Sequence, residues 1–471
     1  MHLSNCLPLV EELDPSLDPV EVFHGFASLP HVLFLDSALR DPVLGRYSFV
    51  AADPFSFLEV PVGAHDGLTR MRQLLAAWQT ETLTSLPPFQ GGAAGLFAYD
   101  LCHSLEKVPA ACHAEFTIPA LAIGLYDVVV AFDHQSNRSW IISQGFPATA
   151  AKDRLHQAHQ RLTFFHQLLK NPTAQPYQSP HQLNDLSAHR LAPQFTVSGG
   201  LNLTSDFSAT GYHQAVERAV EYIHAGDLFQ VNLSQRLLCP AREPSQQLYL
   251  RLRQRNPATF AAYFDLGPSQ IVSASPERFL QVRDRNVEAR PIKGTRQRTR
   301  HAVADLFRAE ELIHSEKDRA ENVMIVDLLR NDLSRVCQPE TVRVKQLCDL
   351  ELYAFVQHLV SNVCGTLATG KTPLDLVQAS FPGGSITGAP KVRAMQIIAE
   401  IEPTNRGAYC GSLGYVGFDG AMDLSILIRT ITASQGWWQL PVGGGIVAQS
   451  SPQQEYEETW HKAQGLIDSL T

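Results

Sequence analysis

Tyr409-Cys410-Gly411-Ser412-Leu413-Gly414-Tyr415-Val416-Gly417-Phe418 reads as a strand, and Met422 to Ala433 reads as its partner. Asp419-Gly420 between them is a strong hairpin turn. Trp437 to Leu440 and Gly443 to Ala448 continue the meander, with Gly443-Gly444-Gly445 a tight turn where backbone can approach a ligand. Pro452 to Leu470 follows as a helix. Working outward, Tyr212, Val216, Ala219, Val220 and Ile223 recur at helical spacing, and Gly226 supplies the stop. Leu228 to Leu238 reads as a strand, Ser315 to Arg330 as a helix and Leu352 to Leu367 as a strand. Pro390 to Glu400 is a helix entered from the loop 383–388, with Pro390 near its first turn. Hairpins mixed with helices, without a steady βαβ alternation, predict an α+β fold of antiparallel sheets packed with helices.

Before this region, Val32 to Leu35, Tyr47 to Ala51, Leu121 to Phe132 and Trp140 to Ser143 read as strands. Thr149 to Leu169 reads as a helix. Residues 171–206 shift toward Pro, Gly, Ser, Gln and Asn, which predicts an amino-terminal domain over 1–170, a linker, and a catalytic domain over 207–471. The chain has 471 residues, with 38 Lys plus Arg against 47 Asp plus Glu and a net charge of −9. An acidic chain with no basic block is a poor binder of nucleic acid or anionic membrane. No apolar run approaches the roughly 18 residues of a spanning helix, and Met1 to Val10 lacks signal-peptide features. The expectation is a cytoplasmic protein. Its eight cysteines are scattered and form no disulfide framework. Cys102-His103 and Cys112-His113 lack the usual zinc spacing and read as a loop with incidental thiols.

Three features carry chemistry. Glu455, Glu458 and Lys462 share one face of the last helix, with Tyr456, Trp460, Ala463, Ile467 and Leu470 expected to pack inward. Asp318 and Glu321 share a face of the helix 315–330. Paired carboxylates on two helices suit an all-oxygen Mg2+ site; a solvated charged stripe fits the same residues. The loop Gly383-Gly384-Ser385-Ile386-Thr387-Gly388 opens a helix whose free N–H groups suit an anion. Lys293, between Ile292 and Gly294, reads either as a buried amine nucleophile or as an ordinary snorkelling lysine. Glu277 ends an apolar strand and reads as a general acid or as a solvated turn residue.

Together these segments resemble the chorismate-utilising enzymes, which include anthranilate synthase component I, aminodeoxychorismate synthase component I, isochorismate synthase and salicylate synthase. The matching motifs run in family order. They are Ser275-Pro276-Glu277-Arg278-Phe279, Pro291-Ile292-Lys293-Gly294-Thr295-Arg296, Arg319 to Asn322 through Arg330 to Leu333, Phe381 to Lys391, Arg406 to Tyr409, Leu424 to Arg429, and Gly443 through Thr459. The resemblance implies the family's chorismate-binding fold. It also implies that Glu321 and Glu458 ligate Mg2+, supported by Glu455 and Asp318. Tyr409, Arg429 and Lys462 would bind the substrate carboxylates, aided by Thr387 and the backbone of Gly443, Gly444 and Gly445. His358 would lie near the leaving hydroxyl. Members that aminate C2 resemble Pro-Ile-Ala-Gly-Thr; those that aminate C4 resemble Pro-Ile-Lys-Gly-Thr, as here. The implied route has Lys293 attack C2 of chorismate while Glu277 protonates the departing C4 hydroxyl. Ammonia then enters at C4. The family draws that ammonia from a glutamine amidotransferase subunit, and this sequence has no Gly-x-Cys-x-Gly nucleophile of its own. Gln449 stands where the family commonly has an acidic residue, and Leu35-Asp36-Ser37 loosely resembles its tryptophan-binding element.

Overall fold

The structure is a computed structural model that describes residues 7–170, 185–197, 202–298, 301–352 and 356–471. Strands that are apolar on both faces dictate its architecture. In Gly92–Phe97, Ala93 and Phe97 pack into one core while Ala94 and Leu96 pack into another. Val128–Asp133 divides likewise, with Val129 and Ala131 opposite Val128, Val130 and Phe132. Successive side chains leave opposite faces of a strand, so such runs need cover on both sides. Two antiparallel sheets meet that need by packing face to face, with helices on their outer faces.

The larger sheet has 13 strands among the described residues, and the smaller has 10. Phe49, Leu96, Ala122, Phe264 and Tyr415 lie in the core between them. The outer face of the larger sheet is covered by Pro19–Gly25, Ala151–Lys170, Ser245–Arg255 and Pro452–Asp468, through residues such as Phe23, Phe165, Leu248 and Leu466. Gly67–Ala77, Glu316–Ser334 and Pro373–Ser380 cover the smaller sheet, with Met71, Ile325, Leu329 and Val377 buried. Segments before residue 171 and after residue 206 contribute to both sheets. Leu33–Asp36 pairs with Phe260–Asp265, and Gly92–Phe97 pairs with Ser412–Gly417. Part of the expected linker is itself paired: Thr204–Ser205 joins Gln230–Pro240.

Several expectations are corrected. The run Leu121 to Phe132 is two strands in different sheets, Leu121–Tyr126 and Val128–Asp133, separated at Asp127. Met422 to Ala433 likewise splits into Met422–Ile426 of the smaller sheet and Thr430–Ser434 of the larger. Gly443-Gly444-Gly445 is not a turn. It lies inside the strand Trp437–Ile446, paired with Ser234, Leu233 and Asn232. Pro390 is the extended residue preceding the helix Lys391–Ile401 rather than part of its first turn. Glu455, expected on the polar face of its helix, points inward with Thr459, Ala463 and Leu466, while Tyr456 and Trp460 are only half-buried. No described helix is long and apolar enough to cross a membrane. Cys102 is buried and Cys112 exposed. A cavity of about 70 Å³ is lined by Leu35, Asp36, Ser37, Tyr47, Tyr415 and Asp423, among others, and by none of the candidate site residues.

Candidate active site

Two strands cross from one sheet to the other at neighbouring points, and each crossing delivers a candidate residue. Ser269–Ser275 of the larger sheet passes through Pro276-Glu277 into Arg278–Arg283 of the smaller. Met422–Ile426 returns through Leu427 to Arg429 into Thr430–Ser434. The crossings are stitched together. Ile426 N donates to Glu277 O at 3.0 Å, Ala274 N to Arg429 O at 3.0 Å, and Ser275 Oγ to Ile426 O at 2.5 Å. Arg429 has φ 53°, a left-handed conformation that is uncommon for a residue with a side chain.

Glu277 is buried. Burial pushes its carboxyl up to about 7, against the opposing pull of Lys293 and the Ser385 hydroxyl. Ser385 Oγ donates to Glu277 Oε1 at 3.0 Å, and Lys293 Nζ donates to the carbonyl oxygen of the same Ser385 at 3.2 Å. The acid and the amine therefore meet on one residue of the glycine-rich loop. Lys293 sits on Ile292–Gln297, an edge strand of the smaller sheet. Its pairing with Val356–Thr366 shifts register between Lys293 and Thr295, where Gly294 takes φ +70°. That irregularity redirects the strand at the lysine. The Lys293 side chain is only 12% exposed, and Nζ is 3.9 Å from Glu321 Oε2.

The loop is held from below. Asn232 Nδ2 donates to Ser385 O at 2.9 Å, and Arg406 Nη1 donates to Ile386 O at 2.9 Å. Arg406 is buried and ion-paired to Glu402 at 2.6 Å. Ser385, Asn232 and Glu402 are functional candidates that pattern reading missed. Only Ser385 had a signal, its place inside the glycine-rich stretch. Thr387 is buried, and its hydroxyl donates to Gly383 O at 2.9 Å, so it shapes the loop.

Tyr409 is buried, and burial holds its phenol well above its usual range. The Arg429 guanidinium makes no hydrogen bond or ion pair among the described residues. Burial lowers its pKa, while the charges of Tyr409, Glu458 and Glu277 oppose that shift. An unpaired guanidinium at such a site is set up for a bidentate anion. His358 lies buried on Val356–Thr366 opposite Thr295, and burial pushes its imidazole down to about 4. It is therefore neutral at pH 7.

The last helix brings two carboxylates and a lysine onto the triple-glycine strand. An added Cβ at Gly444 would stand 3.4 Å from Lys462 Nζ and 3.5 Å from both Glu455 Oε2 and Glu458 Oε1. Lys462 Nζ pairs with Glu458 at 2.5 Å and donates to Gly443 O at 2.9 Å. Burial raises Glu458, but the Lys462 ammonium more than offsets it and the carboxyl is lowered. Glu321 comes from Glu316–Ser334, and burial raises its carboxyl against Lys293 and Lys317. Asp318 stands under Gly294, where an added Cβ would meet its Cγ at 3.0 Å.

Among the described residues no group of three or more His, Cys, Asp or Glu could hold a metal ion unaided. Mg2+ seldom needs such a cage, since it takes one or two carboxylates with water and substrate oxygens. Glu455 is 3% exposed, and its Oε2 has no hydrogen-bond partner. That orphaned oxygen beside Glu458 fits a cation, and Glu321 and Glu458 are the residues that would hold it. Glu458→Ala is expected to lose Mg2+-dependent turnover while keeping its melting temperature, because the side chain is 47% exposed. Full activity in that variant would rule out a metal-holding role for Glu458.

A family model described as chorismate binding enzyme matches residues 48–468. The chain belongs to the family of chorismate binding enzymes. It is 42% identical to anthranilate synthase component 1 of Thermus thermophilus, over 82% of this chain and 78% of that one. It is 38% identical to aminodeoxychorismate synthase component 1 of Klebsiella aerogenes, over 95% of each chain. The crystal structure of anthranilate synthase component I from Streptococcus pneumoniae matches with a TM-score of 0.75 at 30% identity, covering 89% of this chain and 92% of that one.

Proposed function

We propose that this chain is component I of an aminodeoxychorismate synthase. It would convert chorismate and ammonia to 4-amino-4-deoxychorismate and water, a step toward p-aminobenzoate and folate, in the cytoplasm. A glutamine amidotransferase partner would supply the ammonia. The observation that carries this reading is the inward Lys293 amine, bonded to the loop residue that also hydrogen-bonds the buried acid Glu277.

In this reading the Lys293 nitrogen lone pair forms a bond to C2, both ring double bonds shift, and the C4–O bond breaks. Glu277, still carrying its proton near pH 7, gives it to the departing hydroxyl, which leaves as water. Ammonia then bonds to C4, both double bonds shift back, the lysine amine is expelled, and the extra proton on the new C4 nitrogen returns to the Glu277 carboxylate. Arg429 and Tyr409 hold the carboxylates of chorismate, and neutral His358 borders the leaving group without adding charge. Mg2+, when bound, supplies positive charge for the ring carboxylate beside Glu321 and Glu458.

The 42% identity to a relative named anthranilate synthase component 1 favours a second reading, amination at C2 with release of pyruvate. Mass spectrometry of the product from purified chain, chorismate, Mg2+ and ammonium separates the two. The expected product is 4-amino-4-deoxychorismate. Anthranilate as the main product would end the first reading.

A further inference from the structure

Three ammonium groups meet three carboxylates in this site, one to one. Lys293 lies 3.9 Å from Glu321, Lys462 lies 2.5 Å from Glu458, and Lys317 lies 3.4 Å from Glu455. Two of the lysines are also anchored to backbone: Lys293 to Ser385 O at 3.2 Å and Lys462 to Gly443 O at 2.9 Å. Lys317 has no such anchor. Among the described residues its hydrogen bond is to Glu455 Oε1 alone, and its side chain is 48% exposed. It stands four residues before Glu321 in Glu316–Ser334, so both side chains rise from the same helix face.

The cluster needs a countercharge. The carboxylates of Glu321, Glu455 and Glu458 all act on Lys317. Glu455 divides its two oxygens between roles: Oε1 is taken by Lys317 and by the Ser450 hydroxyl at 2.6 Å, while buried Oε2 is unpartnered. The bound ammonium and the open oxygen belong to one carboxylate.

We propose that Lys317 is the resident countercation of the metal-free site and that Mg2+ binds in competition with it. The arriving ion takes over the charge balance, and the long, half-exposed side chain swings into solvent. Lys317 holds the site assembled between turnovers, at the expense of metal affinity. The proposal rests on the reading that this site takes Mg2+.

Isothermal titration of MgCl2 into the purified full chain tests it, with and without chorismate. Lys317→Gln removes the competing charge and should bind Mg2+ about tenfold more tightly, the scale of one unit charge near a divalent ion at a half-exposed position. Lys317→Arg keeps the charge and should stay within about twofold of the parent. Without metal, Lys317→Gln should melt lower than the parent and gain more on Mg2+ addition. Unchanged or weaker Mg2+ binding by Lys317→Gln would overturn the proposal and leave the metal reading intact. So would an unchanged Mg2+ affinity with weakened chorismate binding, which would make Lys317 a substrate contact. A parent and a Lys317→Gln variant that both bind no Mg2+, even with chorismate, would remove the metal reading and this proposal with it.

Discussion

Lys293→Ala is expected to lower C4 amination by roughly a thousandfold or more, the scale on which removing a covalent nucleophile acts. What activity remains should shift toward C2, because the methyl group leaves that carbon open to ammonia. The change removes one ion pair with Glu321 and one bond to Ser385 O. Lys317 still acts on Glu321, so the fold should persist, with near-parental circular dichroism and melting temperature. Product ratios by mass spectrometry decide the matter. A variant that forms the C4 amine at the parental rate would show that the lysine is not the nucleophile.

Glu277→Gln carries the second large effect, a loss of roughly 10²–10⁴ in kcat, the range for removing a general acid. The pH dependence sharpens the test. Burial keeps the Glu277 proton up to about pH 7, where an exposed glutamate would have lost it near 4.5. Parental turnover should therefore fall as pH rises through about 7, and that limb should vanish from the residual activity of Glu277→Gln. Stability moves with the same proton. A carboxyl whose folded pKa is raised contributes fully below its unfolded value, and that contribution is lost as pH rises through the folded value. The variant should thus gain melting temperature relative to the parent at pH 8 but not at pH 4. A pH profile unchanged by the substitution would assign the proton to another group.

Local signals in the chain were readable where one period or one cap ruled. Ser315 begins its helix by accepting from Asp318 N at 3.2 Å, and Gly226 follows Ala209–His224 with φ +83°. Lys293 lies 3.9 Å from Glu321 and is joined through Ser385 to Glu277, a grouping that spans three separate segments of the chain. The sheet assignments were hidden because both strand faces are buried. A run such as Leu121 to Phe132 then has no polar alternation to mark where it changes sheet, and Asp127 is its only interruption. Asp127 is itself fully buried and ion-paired to Arg161 at 3.1 Å. The triple glycine misled for a different reason. Glycine signals turns, but here its missing side chain makes room for Lys462, Glu455 and Glu458. Reading the last helix as one polar and one apolar stripe puts Glu455 outward. The structure turns a carboxylate inward, toward charges contributed by Glu316–Ser334, and no single-helix pattern contains that information. Ser385 escapes a reading by residue type because its backbone oxygen, which takes the Lys293 bond, leaves no trace there.

The paired crossings at Glu277 and Arg429 have a wider consequence. Each is fixed by the interior of the sandwich and by three bonds to the other, whereas Lys293 hangs on a border strand beside a local irregularity. The scaffold thus behaves like a workbench with a fixed vice and an interchangeable tool. On the proposed function, swapping the side chain at position 293 would redirect the incoming nitrogen without disturbing the grip on the reactant. Divergence among such catalysts would then need few substitutions, concentrated at that rim, while the clamp stays as it is.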